Sequence, residues 1–277
     1  MIVQIKRAIN YILYGIQPKN IRAIISVRKE GKRLEDQKIV ITGGGRGLGL
    51  AIAKRCIEEG ANVLIVGRNE DNLKKVAEQY PNCHYLRYDI SDTSDISAFF
   101  TKAEEILGGP ISSLVNNAGI SLHEGNILNV TEESFVKQIN VNLKAPYFLS
   151  KEFLKRYRAS GLLKGAILFI TSERGLYCDD IPYGIIKAAI NSLTEGLGRR
   201  FINDGIRVNA IAPGVTASDM TGYSEEGNLY RPQACGERVY LAQEVAETAI
   251  FLLSEESGCI SSQIIPCNRG NHLRCDW

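Results

Sequence analysis

Apolar residues recur along this chain in two different rhythms. In the first 35 residues Ile2, Ile5, Ile9, Ile12, Leu13 and Ile16 return at spacings of three and four, which places them on one stripe of a helix. Pro18 stops that helix, and Ile21, Ile24 and Ile25 begin a second. From Gln37 onward the rhythm changes to short β-rich runs separated by longer amphipathic stretches. The runs 38–42, 62–66, 84–89, 114–116, 166–171, 207–210 and 263–267 predict seven strands. Helices are predicted near 47–59, 70–79, 92–107, 131–158, 183–203 and 243–254. Strands alternating with helices of about ten residues or more form βαβ units, so the expected class is α/β, a doubly wound parallel sheet covered on both faces. No internal repeat and no second change of composition interrupts the body. The pattern therefore predicts one domain over 36–277, preceded by a helical extension over 1–35.

Charge separates the same two parts. The 277 residues carry 33 basic and 31 acidic side chains, a net charge of +2. Lys6, Arg7, Lys19, Arg22, Arg28, Lys29, Lys32 and Arg33 concentrate basic charge in the arm against only Glu30 and Glu35, leaving the body slightly acidic. The body has no basic stripe with which to grip a phosphate backbone, and nucleic acid is not expected as a partner. The arm's apolar stripe has three possible destinations: its own domain, a sister subunit or an anionic membrane face. Because Pro18 divides the stripe and the two glutamates dilute the charge, packing against protein is expected, with membrane contact the secondary reading. The uncharged stretch between Arg7 and Lys19 is too short to span a bilayer, and the residues after it offer no cleavage site. Seven scattered cysteines without a C-x-x-C spacing suggest reduced thiols in a cytoplasmic protein. His84, His123 and His272 show no ligand spacing, and no metal is expected.

Candidate chemistry begins where the first strand meets the first helix of the body. Thr42-Gly43-Gly44-Gly45-Arg46-Gly47-Leu48-Gly49 is a glycine-rich turn that lets backbone N–H groups approach a pyrophosphate at the positive end of a helix. Gly43 would make the tight turn, Gly47 would admit the phosphates and Gly49 would let helix and strand pack closely. Past the second strand, an acid would accept a hydrogen bond from the adenosine ribose 2′-hydroxyl of NAD. Here that strand ends Val66-Gly67-Arg68-Asn69. Arg68 and Arg46 instead offer two guanidinium groups where a 2′-phosphate would lie, which favours NADP(H) over NAD(H). Glu70, if turned inward, would weaken that preference.

A second candidate group opens the segment 183–203. Tyr183 and Lys187 stand four residues apart and share one face of a helix. A full positive charge about 4 Å from a phenolate is worth roughly 4 kcal/mol at an effective dielectric of 20, enough to bring a phenol toward neutrality. Such a tyrosine could act as an acid for a forming alkoxide or as a base for an alcohol. Ser172, at the end of an apolar strand, could hold the substrate oxygen.

These motifs, in this order, resemble the short-chain dehydrogenase/reductase family in its branch of about 250 residues. The resemblance extends from Gln37 to Gly270 and rests on the glycine-rich turn, Asp89, Asn116-Asn117-Ala118-Gly119, Asn142, Ser172, Tyr183, Lys187 and Pro213-Gly214. It implies a Rossmann-type sheet and hydride transfer between a nicotinamide and a carbonyl or secondary alcohol. By this resemblance Tyr183 is the acid/base, Ser172 holds the oxygen, Lys187 lowers the tyrosine pKa and clasps the nicotinamide ribose, and Asn142 supports a water chain to the lysine. Asp89 and Asn116 serve the adenine side and the central strand, while Gly45, Leu48, Ile90, Ala118 and Gly119 join the cofactor-binding set. Pro213, Gly214, Thr216 and Ser218 fall on the carboxamide side. A homodimer or homotetramer assembled through the helices near 131–158 and 183–203 is also implied.

Several departures from the family pattern accompany these matches. Ser172 and Tyr183 are 11 residues apart, fewer than usual, so the intervening loop is short. Pro182 immediately precedes Tyr183, and Asn268-Arg269-Gly270 replaces the usual Asp-Gly-Gly. Within the family the resemblance runs toward bacterial 3-oxoacyl-carrier-protein reductases, which dock an acidic carrier through basic residues. Leu163 and Asp204 occupy the corresponding positions here, with Lys164 one residue away. The polar segment 215–241 suits instead a small polar carbonyl or alcohol, such as a sugar derivative. A non-catalytic NADP-binding scaffold is the third reading.

Overall fold

The computed structural model describes residues 32–273, so the predicted helices of the arm over 1–31 and the last four residues lie outside the described part. Seven strands form one sheet: β1 (Lys38–Thr42), β2 (Asn62–Gly67), β3 (Cys83–Arg87), β4 (Ser113–Asn116), β5 (Gly165–Ile170), β6 (Ile206–Pro213) and β7 (Ile264–Cys267). All neighbours run parallel, in the order β3-β2-β1-β4-β5-β6-β7. The helices are α1 (Gly47–Glu58), α2 (Glu70–Ala77), α3 (Ile96–Leu107), α4 (Glu132–Ile139), α5 (Ala145–Ser160), α6 (Pro182–Phe201) and α7 (Ala242–Leu253). The doubly wound α/β sheet expected from the hydrophobic pattern is the observed fold.

Both faces of the sheet are apolar because both are covered, as parallel sheets require. Along β1 and β2, Ile39, Ile41, Val63 and Ile65 pack toward Ile52, Ala53 and Cys56 of α1 and Val245, Ala246 and Ile250 of α7. Their alternate neighbours Val40, Leu64 and Val66 join Phe99 and Phe100 of α3, Phe153 of α5 and Ile190 of α6 on the other face.

Two predicted helices differ from those observed. Helix α3 starts at Ile96, because Asp92 accepts bonds from the backbone and side chain of Ser94 and Asp95 caps the helix through the N–H of Ala98. The single helix expected over 131–158 is interrupted by a π-turn at Asn140–Lys144. Pro146 has no N–H to return to the carbonyl of Asn142, and the Asn142 side chain is bonded across to another loop, so the backbone widens at that point.

The end of the arm reaches the body. Leu34 is fully buried in the α1/α7 layer, and its N–H bonds to the carbonyl of Glu59 at 2.9 Å. Arg33 pairs with the buried Glu59 carboxylate, which Arg55 also approaches at 3.1 Å. Leu34→Ala is expected to lower the unfolding free energy by about 3 kcal/mol, in the range for a deleted core leucine. A urea titration that found a loss below about 1 kcal/mol would show that this anchor contributes little.

Candidate active site

After β3 the chain crosses back to place β4 beside β1, and the connections leaving these two strands diverge at their C-terminal ends. Such a switch point is where open parallel sheets bind ligands. The cleft is held by Thr42, whose Oγ1 accepts the N–H groups of Asn117 at 3.0 Å and Ala118 at 3.1 Å and donates to the carbonyl of Val115. Asn117 Nδ2 returns a bond to the Thr42 carbonyl at 2.9 Å. Sequence reasoning did not assign this stitching to Thr42 and Asn117; a threonine ending a strand opposite Asn-Asn-Ala-Gly was the signal available.

The glycine-rich turn takes the form expected of a phosphate cradle. Gly43 has φ +68°, and a side chain on Gly49 would strike the Gly43 carbonyl at 2.3 Å, so α1 can approach β1 only without one. Gly45 and Gly47 line the turn, and Leu48 packs into the core. No side chain caps α1 at Arg46, and its first turn contains no acid, which leaves the positive end of the helix facing the cleft. These features fit a dinucleotide pyrophosphate.

Arg68 is exposed just past β2, while Asn69 caps α2 and Glu70 lies 4.0 Å from Arg87. Arg46 meets Asp219. Asp89 accepts two bonds from Ser91, and Ile90 is buried. Asn116 donates to Ser150 at 3.1 Å, and its buried Oδ1 has no partner among the described residues. On the far side, Gly214 donates its N–H to Cys267, Thr216 Oγ1 donates to the Gly214 carbonyl at 3.0 Å and Ser218 Oγ donates to Thr216, all in the segment after Pro213.

Two of the reacting candidates, Asn142 and Lys187, meet at Gly119, and Tyr183 lies beside the lysine. Lys187, buried on α6, donates to the Ile170 carbonyl at the end of β5 at 2.8 Å and lies 5.5 Å from the centre of the Tyr183 ring. Asn142, within the π-turn, holds Ile120 with both amide atoms, each at 2.8 Å. A side chain on Gly119 would lie 3.2 Å from Asn142 Oδ1 and 3.7 Å from Lys187 Nζ, so Asn142 and Lys187 approach each other over this glycine. Pro182 occupies the first turn of α6, where its missing N–H costs nothing, and Tyr183 follows it. Ser172 caps the 3-10 turn Glu173–Leu176, and its hydroxyl faces the phenol.

The electrostatics differ from the simple lysine–tyrosine expectation. Burial raises the Tyr183 pKa above its ordinary value, against the lowering effects of the Ser172 hydroxyl and the Arg174 charge. Burial also pulls Lys187 down to about 8. In the protein alone, desolvation outweighs the attraction inferred from the four-residue spacing.

The short Ser172–Tyr183 loop has its own support. Arg174 is paired with both oxygens of the Asp179 carboxylate, one of them at 2.6 Å. That carboxylate lies over Gly184, where a side chain would come within 1.9 Å of it. Buried Glu173 accepts from Asn268 and Asn271, each at 3.0 Å, so the altered C-terminal motif packs behind the serine. Asn268 stood out in the sequence only as a departure from the family pattern, and its bond to Glu173 forms only when distant segments meet.

The chain belongs to the short-chain dehydrogenase/reductase family and is an oxidoreductase that acts on a carbonyl or alcohol with a nicotinamide cofactor. The family model described as Enoyl-(Acyl carrier protein) reductase matches residues 43–272. A 3alpha-hydroxysteroid dehydrogenase of Mediterraneibacter gnavus is 31% identical over 243 residues, covering 84% of this chain and 95% of that protein. Galactitol 2-dehydrogenase of Rhizobium johnstonii is 27% identical over 248 residues, covering 86% and 96%. The crystal structure of a 3-ketoacyl-(acyl-carrier-protein) reductase from Brucella melitensis, complexed with NADH, superposes with a TM-score of 0.79 at 26% identity and covers 86% of this chain and 99% of that one.

The lysine shift predicts a pH dependence of stability. Unfolded Lys187 binds its proton up to its ordinary value of 10.5 and folded Lys187 only up to about 8. Between these values the unfolded chain carries more protons, so this residue's contribution to stability rises with pH. Going from pH 8 to 10, the unfolding free energy of the unaltered chain should gain on that of Lys187→Met. Parallel curves for the two proteins in urea titrations would contradict the assigned burial effect.

Proposed function

We propose that the chain is an NADP(H)-dependent reductase or dehydrogenase of a small polar carbonyl or secondary alcohol, with Tyr183 as acid/base. The observation that carries this reading is the approach of Asn142 and Lys187 over Gly119 with the Tyr183 ring 5.5 Å from the Lys187 amine and Ser172 beside that tyrosine. The nicotinamide supplies or accepts a hydride at the carbonyl carbon. In reduction, Ser172 Oγ donates a hydrogen bond to the substrate oxygen, and the Tyr183 phenol gives its proton to that oxygen as the alkoxide forms. Lys187 holds a proton close to neutral pH and is placed to restore the phenol through ordered water held near Asn142. In oxidation the same groups act in reverse, with Tyr183 as base. Gly43, Gly45, Gly47, Leu48 and Gly49 would cradle the pyrophosphate, and the Pro213–Ser218 side would receive the carboxamide.

Arg46 and Arg68, with no acid at the end of β2, support the preference for a 2′-phosphate. A carrier-bound acyl substrate is less well supported. Leu163 is 84% exposed and uncharged, Asp204 is paired with Arg158 at 2.7 Å, and Lys164 is occupied by Glu255 at 2.8 Å. A purely scaffolding role would leave the converging side chains without a use.

The assembly reading also has support. An apolar groove of about 670 Å³ runs between α5 and α6, lined in part by Leu143, Tyr147, Phe148, Leu193 and Leu197. Phe148 is 38% exposed and Tyr147 49%, whereas Leu154 and Ile190 belong to the core. A second copy of the chain covering this groove would make the homodimer, or half of a homotetramer. Phe148→Asp is expected to convert the oligomer to monomer in light scattering; an unaltered chain that is already monomeric at micromolar concentration would refute the assembly.

Activity is tested with a panel of ketones, aldehydes and polyols, read as NADPH or NADH oxidation with reverse assays on the alcohols. NADPH should be preferred in kcat/KM at least about tenfold, equivalent to about 1.4 kcal/mol. Tyr183→Phe should reduce turnover at least about a hundredfold, the lower end of general acid catalysis, with cofactor affinity nearly unchanged. Retained turnover in that variant, or equal use of both cofactors, would overturn the corresponding part of the reading.

A further inference from the structure

Arg46 belongs to the phosphate loop and Asp219 to the segment after β6, yet Arg46 Nη1 lies 2.9 Å from Asp219 Oδ2 across the mouth of the cofactor cleft. The carboxylate is carried by a tight turn. The N–H groups of Thr221 and Gly222 both bond to the Ser218 carbonyl, at 3.1 and 3.0 Å, and Thr221 Oγ1 donates to Thr216 at 2.6 Å. Thr216 in turn is bridged to Tyr240. The backbones themselves approach here, since a side chain on Gly47 would lie 3.7 Å from Ser218 Cβ. The ion pair therefore joins the two segments that flank the cleft.

Arg46 is also one of two cations assigned above to the adenosine 2′-phosphate. A phosphate monoester carries close to two negative charges at neutral pH, and a carboxylate on the same guanidinium opposes its arrival by charge and by occupying a donor. A 2′-hydroxyl has no charge and makes no such demand. We propose that Asp219 is a specificity-determining residue that competes with the 2′-phosphate for Arg46 and weakens binding of NADPH relative to NADH. Binding of the phosphorylated cofactor then frees the Ser218–Gly222 turn from the phosphate loop, whereas NADH leaves the two joined. Because both partners are mostly exposed, the effect is a modest adjustment of a preference set chiefly by the two arginines.

This inference rests on the NADP(H) reading, and calorimetry separates the two. The full chain, Asp219→Asn, Arg46→Met and the double variant are titrated with NADPH, NADH, adenosine 2′,5′-bisphosphate and AMP, after thermal melts establish that all are folded. Asp219→Asn is expected to tighten NADPH and the bisphosphate about threefold to fivefold and to leave NADH and AMP unchanged. In the Arg46→Met background the same substitution should have no effect. Equal tightening of NADH would mean that Asp219 acts on the shared pyrophosphate, and weaker NADPH binding would mean that it shares Arg46 with the phosphate; either result overturns the proposal, as does no change. If the unaltered chain binds NADPH no better than NADH, the cofactor reading fails first and the inference fails with it.

Discussion

Two backbone N–H groups, those of Asn117 and Ala118, end on the hydroxyl of Thr42, and the shape of the cleft follows from that small constraint. Where β1 and β4 part, their last polar groups lose their neighbours in the sheet. Left unpaired at this depth they would each cost a desolvation penalty. The threonine hydroxyl and the Asn117 amide close the gap, hold the two strand ends at a set separation and bring Asn117 against Gly49 of α1. The glycine-rich turn on one side and the Gly119 turn on the other are thereby anchored to a single point.

From that point outward the site is organised by desolvation. Lys187 is carried into the interior by α6, where loss of water makes its proton easier to lose than that of a free lysine, and its amine donates to the final carbonyl of β5. The phenol beside it is harder to ionise for the same reason. Moving these two values in opposite directions widens the gap between them, so a proton on Lys187 passes downhill to a tyrosinate. The stability of the fold bears the cost of burying the lysine, consistent with a position selected for chemistry rather than for packing.

The departures from the family pattern are coupled in the folded chain. In the stretch between Ser172 and Tyr183, Asp179 lies over Gly184 with Arg174 as its counter-charge, so the glycine after the tyrosine is a steric requirement of this loop. The buried carboxylate of Glu173 requires donors, and Asn268 of the altered C-terminal motif and Asn271 just beyond it provide them. Residues that look independent along the chain are in contact across the site.

Apolar periodicity determined the seven strands, their alternation with helices and the parallel sheet, because a strand covered on both faces must be hydrophobic at nearly every position. Local chemistry likewise made the glycine-rich turn and the Tyr183–Lys187 pair legible, since each depends on residues close together in the chain. The π-turn at Asn142 was not legible, because it arises from a side-chain bond to Ile120 on a different segment. Nor were the Glu173–Asn268 and Arg46–Asp219 contacts, whose partners lie far apart in sequence. The direction of the tyrosine shift was decided only by the tertiary structure. Spacing along a helix measures how near a charge is, whereas burial, which depends on everything packed around the pair, decides how much that charge is worth.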